Sequence, residues 1–155
     1  MSDVQTQQVY RVFIKAPPER VWEAITTPEL IAKYFFGTRT DSTFETGTRI
    51  RNWSPDRSQL WTDNAVLESE PPRRLVHTWR SLYEESLAAE EESRVTWEIE
   101  PQDGGYSQLT VIHDRLEGAP KTAEIVAGGW MLIISGLKTL VETGEPLTDF
   151  GGEGA

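Results

Sequence analysis

Apolar residues recur at helical intervals in the last third of the chain. Val126, Trp130, Ile133, Leu137 and Leu140 are spaced 4, 3, 4 and 3 apart. That is one face of an α-helix, which Ile134 and Val141 widen. Pro120 suits the first turn, where its missing N–H costs nothing. Gly144 is placed to end the helix in the left-handed conformation. The spacing predicts a helix from Pro120 to Glu142, a rod of roughly 35 Å at about 1.5 Å per residue. Gly128-Gly129 interrupts it, at about 1 kcal/mol per glycine relative to alanine. Two readings stay open: close packing on a strand or a mild bend, and room left for a cavity beside Trp130.

Upstream the period shortens to two. Val9–Lys15 reads as a strand, with Tyr10, Val12 and Ile14 on one face and Val9, Arg11 and Phe13 on the other. Ala16-Pro17-Pro18-Glu19 stops it and opens a short helix with Val21, Trp22 and Ile25 inward. Thr27-Pro28-Glu29 starts another, with Thr27 as cap and Pro28 at the first position. It would carry Leu30, Ile31 and Tyr34 into Phe35-Phe36-Gly37. Strands follow at Thr38–Phe44, Thr48–Trp53, Leu60–Glu70 and Arg73–Leu82, the last with Leu75, His77 and Trp79 on one face. Ser93–Glu100 turns Val95, Trp97 and Ile99 inward. After the turn signal Asp103-Gly104-Gly105, Tyr106–Asp114 places Leu109, Val111 and His113 together.

The order β–α–α–β–β–β–β–β–β–α, with short turns between strands, predicts an antiparallel meander. Its apolar face needs a cover, and the long helix is the only element large enough. The fold class is α+β: a curved antiparallel sheet wrapped around a long C-terminal helix, with two short helices after the first strand. Residues 1–144 read as a single domain and 145–155, ending in GGEGA, as a mobile tail.

Composition narrows the partners. The 155 residues carry a net charge of −10, which disfavours nucleic acid and anionic membrane surfaces. Without cysteine, disulfide and thiolate chemistry are excluded and a reducing cytoplasm is the natural compartment. MSDVQTQQ has no basic-then-apolar signal pattern. The longest apolar run, Trp130 to Ile134, is too short to span a bilayer, so membrane insertion is not expected.

The chain resembles the START-like, or SRPBCC, superfamily, whose helix-grip fold serves lipid-transfer START domains, polyketide cyclases and the birch pollen allergen. Within it, the chain is most similar to the branch named for the activator of heat-shock-protein-90 ATPase. The residues that carry the resemblance are Ala16-Pro17-Pro18-Glu19-Arg20-Val21-Trp22 and Thr27-Pro28-Glu29-Leu30 leading to Tyr34-Phe35. Glu70-Pro71-Pro72-Arg73-Arg74-Leu75-Val76-His77-Thr78-Trp79 and Ser93-Arg94-Val95-Thr96-Trp97-Glu98 follow. Gly128-Gly129-Trp130 with Gly136-Leu137-Lys138 closes the set. The resemblance covers Val9 to Gly144. It implies the helix-grip fold, a cavity with its mouth near Phe35 to Thr38, and contact with the chaperone as one partner class. The fold hosts many tasks, so it does not itself name an activity.

The aromatic supply, six Trp, five Phe and four Tyr, points to a wall as well as a core. Trp79, Trp97, Trp130, His77 and His113 are the expected lining, with Tyr34, Phe36 and Trp61 beside them. The histidines fall on apolar faces. They are either core groups with satisfied ring nitrogens or polar groups that orient a ligand. Asp63 could join them from its own strand, although no spacing demands it. Two histidines without a carboxylate cluster are too few for a metal site. No phosphate-cradling glycine loop or zinc-protease helix is present, and no cofactor is expected. Ser135 lacks the glycine-flanked elbow of hydrolases. Glu84-Glu85 and Glu90-Glu91-Glu92 read as a solvated loop with a helical turn through Ser86 to Ala89. The leading expectation is a non-enzymatic protein that binds a small hydrophobic molecule, aromatic or lipid-like. A cyclase-like or hydrolase-like enzyme using the same cavity is the second, and a chaperone-binding module the third.

Overall fold

The structure, a computed structural model, describes residues 6–149. The elements run β1 (Gln7–Ile14), α1 (Pro18–Thr26), α2 (Pro28–Ile31), β2 (Arg39–Asp41), β3 (Arg49–Trp53), β4 (Leu60–Glu70), β5 (Arg74–Trp79), α3 (Glu85–Ala88), β6 (Ser93–Gln102), β7 (Tyr106–Asp114) and α4 (Pro120–Thr143). The seven strands form a curved antiparallel sheet in the order β1-β7-β6-β5-β4-β3-β2. Strands β2 to β7 are a meander, and β1 closes on β7. This is the helix-grip architecture, with α4 gripped by the sheet.

The alternation along each strand decides what α4 meets. Tyr10, Val12 and Ile14 pack inward, while Val9 and Phe13 are exposed. Leu75, His77 and Trp79 are buried on β5, Val95 and Trp97 on β6, and Leu109, Val111 and His113 on β7. Across the sheet these faces meet in rows. His77 pairs with Val95 and Val95 with His113; Leu75 pairs with Trp97 and Trp97 with Val111. Helix α4 lays Val126, Trp130, Ile133, Leu137 and Leu140 on them. Gly144 ends it at φ 82°, its N–H on Leu140 O at 2.8 Å. By length and composition α4 could cross a membrane, with a mean hydropathy of 1.4 over its best window. Here it is the core helix.

Local chemistry shifts several boundaries. The second strand shrinks to Arg39–Asp41, where its pairing with β3 ends, and Phe44 beyond it sits at φ 60°. Helix α2 ends at Ile31, and the chain turns through Phe36 and Gly37, both at positive φ. Thr27 occupies the cap position of α2 through its carbonyl, which accepts from Leu30 and Ile31 N–H; its side chain makes no capping bond. The acidic loop is not merely solvated. Glu90 accepts from Lys121 N–H and from the N–H and hydroxyl of Thr122 at 2.7–2.9 Å, capping α4 from across the fold. Of the expected tail, Glu145 to Asp149 is exposed; residues 150–155 lie outside the described residues.

Candidate functional site

A cavity of about 440 Å3 opens between the first half of α4 and the β3–β5 end of the sheet. That lies within the roughly 300–1,000 Å3 of small-molecule sites. Helix α4 contributes Ile125, Val126, Gly129, Trp130 and Ile133. The turn after α2 contributes Phe35, Phe36 and Thr38. The sheet and its loops add Asn52, Gln59, Trp61, Thr62, Trp79, Ser81 and Tyr83. No lining side chain is ionisable except the Tyr83 phenol. Burial pushes that phenol up, helped by repulsion from Glu84 and opposed by a hydrogen bond from Ser81. The cavity is therefore uncharged at neutral pH.

Room at the cavity accounts for Gly129 but not for Gly128. A Cβ at either Gly128 or Gly129 would meet nothing within 4 Å, so close packing does not require them. Gly129 is part of the cavity wall and Gly128 faces outward. On the opposite side, Phe36 at φ 56° followed by Gly37 at φ 73° turns the chain so that Phe35 and Phe36 both reach the cavity. A left-handed Phe costs on the order of 1 kcal/mol.

Behind the aromatic wall lie the two histidines. Trp130 Nε1–H donates to His113 Nδ1 at 3.0 Å, and His113 Nε2 meets the Ser93 hydroxyl at 2.7 Å. Trp97 Nε1–H donates to His77 Nε2 at 3.0 Å, and His77 Nδ1 meets Thr78 O at 2.8 Å. An indole can only donate and a carbonyl can only accept. His77 therefore carries its proton on Nδ1. His113, accepting at Nδ1, carries its proton on Nε2. Burial lowers both pKa values, to about 4 for His77 and about 3 for His113, where repulsion between the two adds to the effect. Both are neutral at pH 7 with both ring nitrogens engaged, which matches the core reading of these residues. Their bonds hold two of the indoles, Trp130 by His113 and Trp97 by His77; Trp79 is held by the Ser81 hydroxyl, which accepts from its Nε1 at 3.1 Å.

The expected lining residues thus divide. Phe36, Trp61, Trp79 and Trp130 face the large cavity. Tyr34, His77 and Trp97 border a separate void of about 40 Å3, with Tyr34 donating to Ala24 O at 2.9 Å. His113 borders neither and sits behind Trp79 and Trp130, ring centres 5.8 and 6.0 Å away. Asp63 does not join the histidines. Its strand position points it outward, to Arg49 and Arg51. Among the described residues, no group of three His, Cys, Asp or Glu side chains is arranged to hold a metal ion.

Sequence reasoning missed the polar side of the wall. Thr40 pairs with Asn52, Asn52 with Thr62, and Thr62 with Ser81, a polar row across β2, β3, β4 and the segment after β5. All four are buried. The signal was available: polar residues at alternate, inward-turned positions of strands whose neighbours bury apolar groups.

The family model described as activator of Hsp90 ATPase homolog 1-like protein matches residues 15–142. No curated protein matches the chain. Among solved structures, a Mesorhizobium loti protein is 28% identical, with a TM-score of 0.73, over 87% of this chain and 96% of that one. DynU16, from the dynemicin biosynthetic locus, is 25% identical with a TM-score of 0.74, over 92% of this chain and 49% of that one. This chain spans about half its length. The Aha1 dimer from Colwellia psychrerythraea is 17% identical with a TM-score of 0.71, over 90% of this chain and 98% of that one, a likeness of fold.

Proposed function

The chain belongs to the family of activator of Hsp90 ATPase homolog 1-like proteins, and from that premise we propose that it binds a small hydrophobic molecule in the cavity between α4 and the sheet. The observation that carries this reading is the cavity wall. Six of its fifteen lining residues are aromatic and none is charged at neutral pH. Such a wall favours an aromatic or lipid-like ligand and penalises an ionised one, because a buried charge without a partner is costly. The reading assumes a cytoplasmic setting for this acidic, cysteine-free chain. It involves neither nucleic acid nor membrane insertion.

An enzyme in the same cavity would need an acid–base pair. The two histidines supply none, since both ring nitrogens of each are engaged. A chaperone-binding role is the second reading, favoured by the family match over residues 15–142. The test of the first is native mass spectrometry of the protein purified from its own cells, followed by extraction. A stoichiometric neutral apolar adduct supports it. A bare chain that also fails to take up added aromatic compounds sinks it. Capture of the bacterial heat-shock-protein-90 homologue at tens of micromolar would favour the second reading.

A further inference from the structure

The polar row that runs from Thr40 into the cavity wall at Asn52 and Thr62 is directional. The Thr40 hydroxyl donates to Asn52 Oδ1 at 2.7 Å, and Asn52 Nδ2–H donates to Thr62 Oγ1 at 2.8 Å. Asn64 Nδ2–H also reaches Thr62 Oγ1, at 3.4 Å. Neither amide nitrogen can accept. With the Asn52 amide oxygen turned to Thr40, Thr62 Oγ1 accepts twice, and none of the hydrogen bonds among the described residues gives its own hydrogen an acceptor. Thr62 is 4% exposed and lines the cavity. Asn52, beside it, also lines the cavity and has one amide hydrogen left over. Buried donors without acceptors are costly, and hydrogen bonds in series strengthen the last donor.

We infer that Thr62 and Asn52 form a subsite for a hydrogen-bond acceptor, so that the ligand is a neutral aromatic or polycyclic compound bearing a carbonyl oxygen. The inference rests on the cavity being a ligand site and adds the polarity of what enters it. A carboxylate is disfavoured, because no cationic side chain lines the cavity. A pure hydrocarbon would leave the Thr62 hydrogen unpaired. A carbonyl satisfies that donor at Thr62, while Trp61, Trp79 and Trp130 cover the ring system.

The test compares 9-fluorenone with fluorene, the same tricyclic frame with and without a carbonyl, titrated into the full chain by tryptophan quenching. Fluorenone should bind about two- to tenfold more tightly, as one neutral hydrogen bond provides. Thr62→Val should abolish that preference, bringing the two probes to equal affinity, and Thr62→Ser should keep it. The carbonyl stretch of bound fluorenone should move to lower wavenumber in the wild type and not in Thr62→Val. Equal affinity of the two probes for the wild type, or a preference that survives Thr62→Val, overturns the acceptor subsite while leaving the cavity as a ligand site. Binding of neither probe up to its solubility overturns both. Should Thr62→Val fail to fold, the wild-type preference and the carbonyl band decide the matter.

Discussion

The indole N–H of Trp130 on α4 is bonded at 3.0 Å to Nδ1 of His113 on β7. This bond ties the cavity-facing aromatic to the sheet behind it and selects the His113 tautomer. Trp130→Phe keeps an aromatic ring but removes the donor, leaving a buried nitrogen unpaired. We expect a loss of about 1–3 kcal/mol in denaturant unfolding. A loss below about 0.5 kcal/mol would mean that His113 finds another partner.

Stability should fall on mild acidification. His77 and His113 have folded pKa values of about 4 and about 3, against 6.5 in the unfolded chain. Between pH 6.5 and these values the unfolded state binds protons that the folded state refuses, so stability rises with pH. The contribution is complete above pH 6.5. It declines as pH falls, by about 1.4 kcal/mol per pH unit for each histidine, and levels off below the folded pKa values. Thermal melts at pH 7, 6 and 5 should show the decline, and His113→Asn should flatten part of it. A melting temperature constant over this range would contradict the burial of neutral imidazoles.

The two glycines should separate stability from binding. Gly128→Ala faces open space outside the cavity. It should raise stability by about 0.5–1 kcal/mol through helix propensity and leave ligand uptake unchanged. Gly129→Leu also meets no protein atom at its Cβ, but its side chain would occupy the cavity. It should preserve the fold and abolish uptake of an aromatic probe. Retained uptake with a folded Gly129→Leu chain would place the ligand elsewhere.

Glu90 should behave as a long-range cap. Burial alone would raise its pKa, yet bonds from Thr122 and Lys121 hold it below the usual glutamate range. Glu90→Ala removes the acceptor of two N–H groups in the first turn of α4 and should cost about 1 kcal/mol. Glu90→Gln should lose less. Neighbouring Glu84→Ala, whose carboxylate makes no such bond in the structure, should be close to neutral in the same unfolding measurement.

The folding pattern was readable where one period ran uninterrupted. Strands β4 and β7 occupy the segments that their alternation and turn residues predict, Leu60–Glu70 and Tyr106–Asp114. Helix α4 and its Gly144 stop follow from the 3.6-residue spacing. It was less readable where a single backbone angle intervened. Strand β2 stops at Asp41 and the chain reaches φ 60° at Phe44, a conformation for which no propensity marks a phenylalanine. The acidic loop looked solvated because the groups Glu90 caps lie 31 and 32 residues away.

Of the candidate site, the sequence by itself determined which side chains turn inward, because strand and helix periods fix the side of an element a residue occupies. That was enough to choose His77, Trp79, Trp97, His113 and Trp130 as facing one another. Only the tertiary structure decided their depth. Trp79 and Trp130 form the wall of the cavity, and His113 stands behind them, with partners 17 and 20 residues away along the chain. Period assigns a face but not a position along the sheet, nor how far the helix stands from it. Those depend on the curvature of the sheet and on where Gly129 leaves space. For the same reason the polar row Thr40, Asn52, Thr62 and Ser81 came together only when strand register aligned four separate segments.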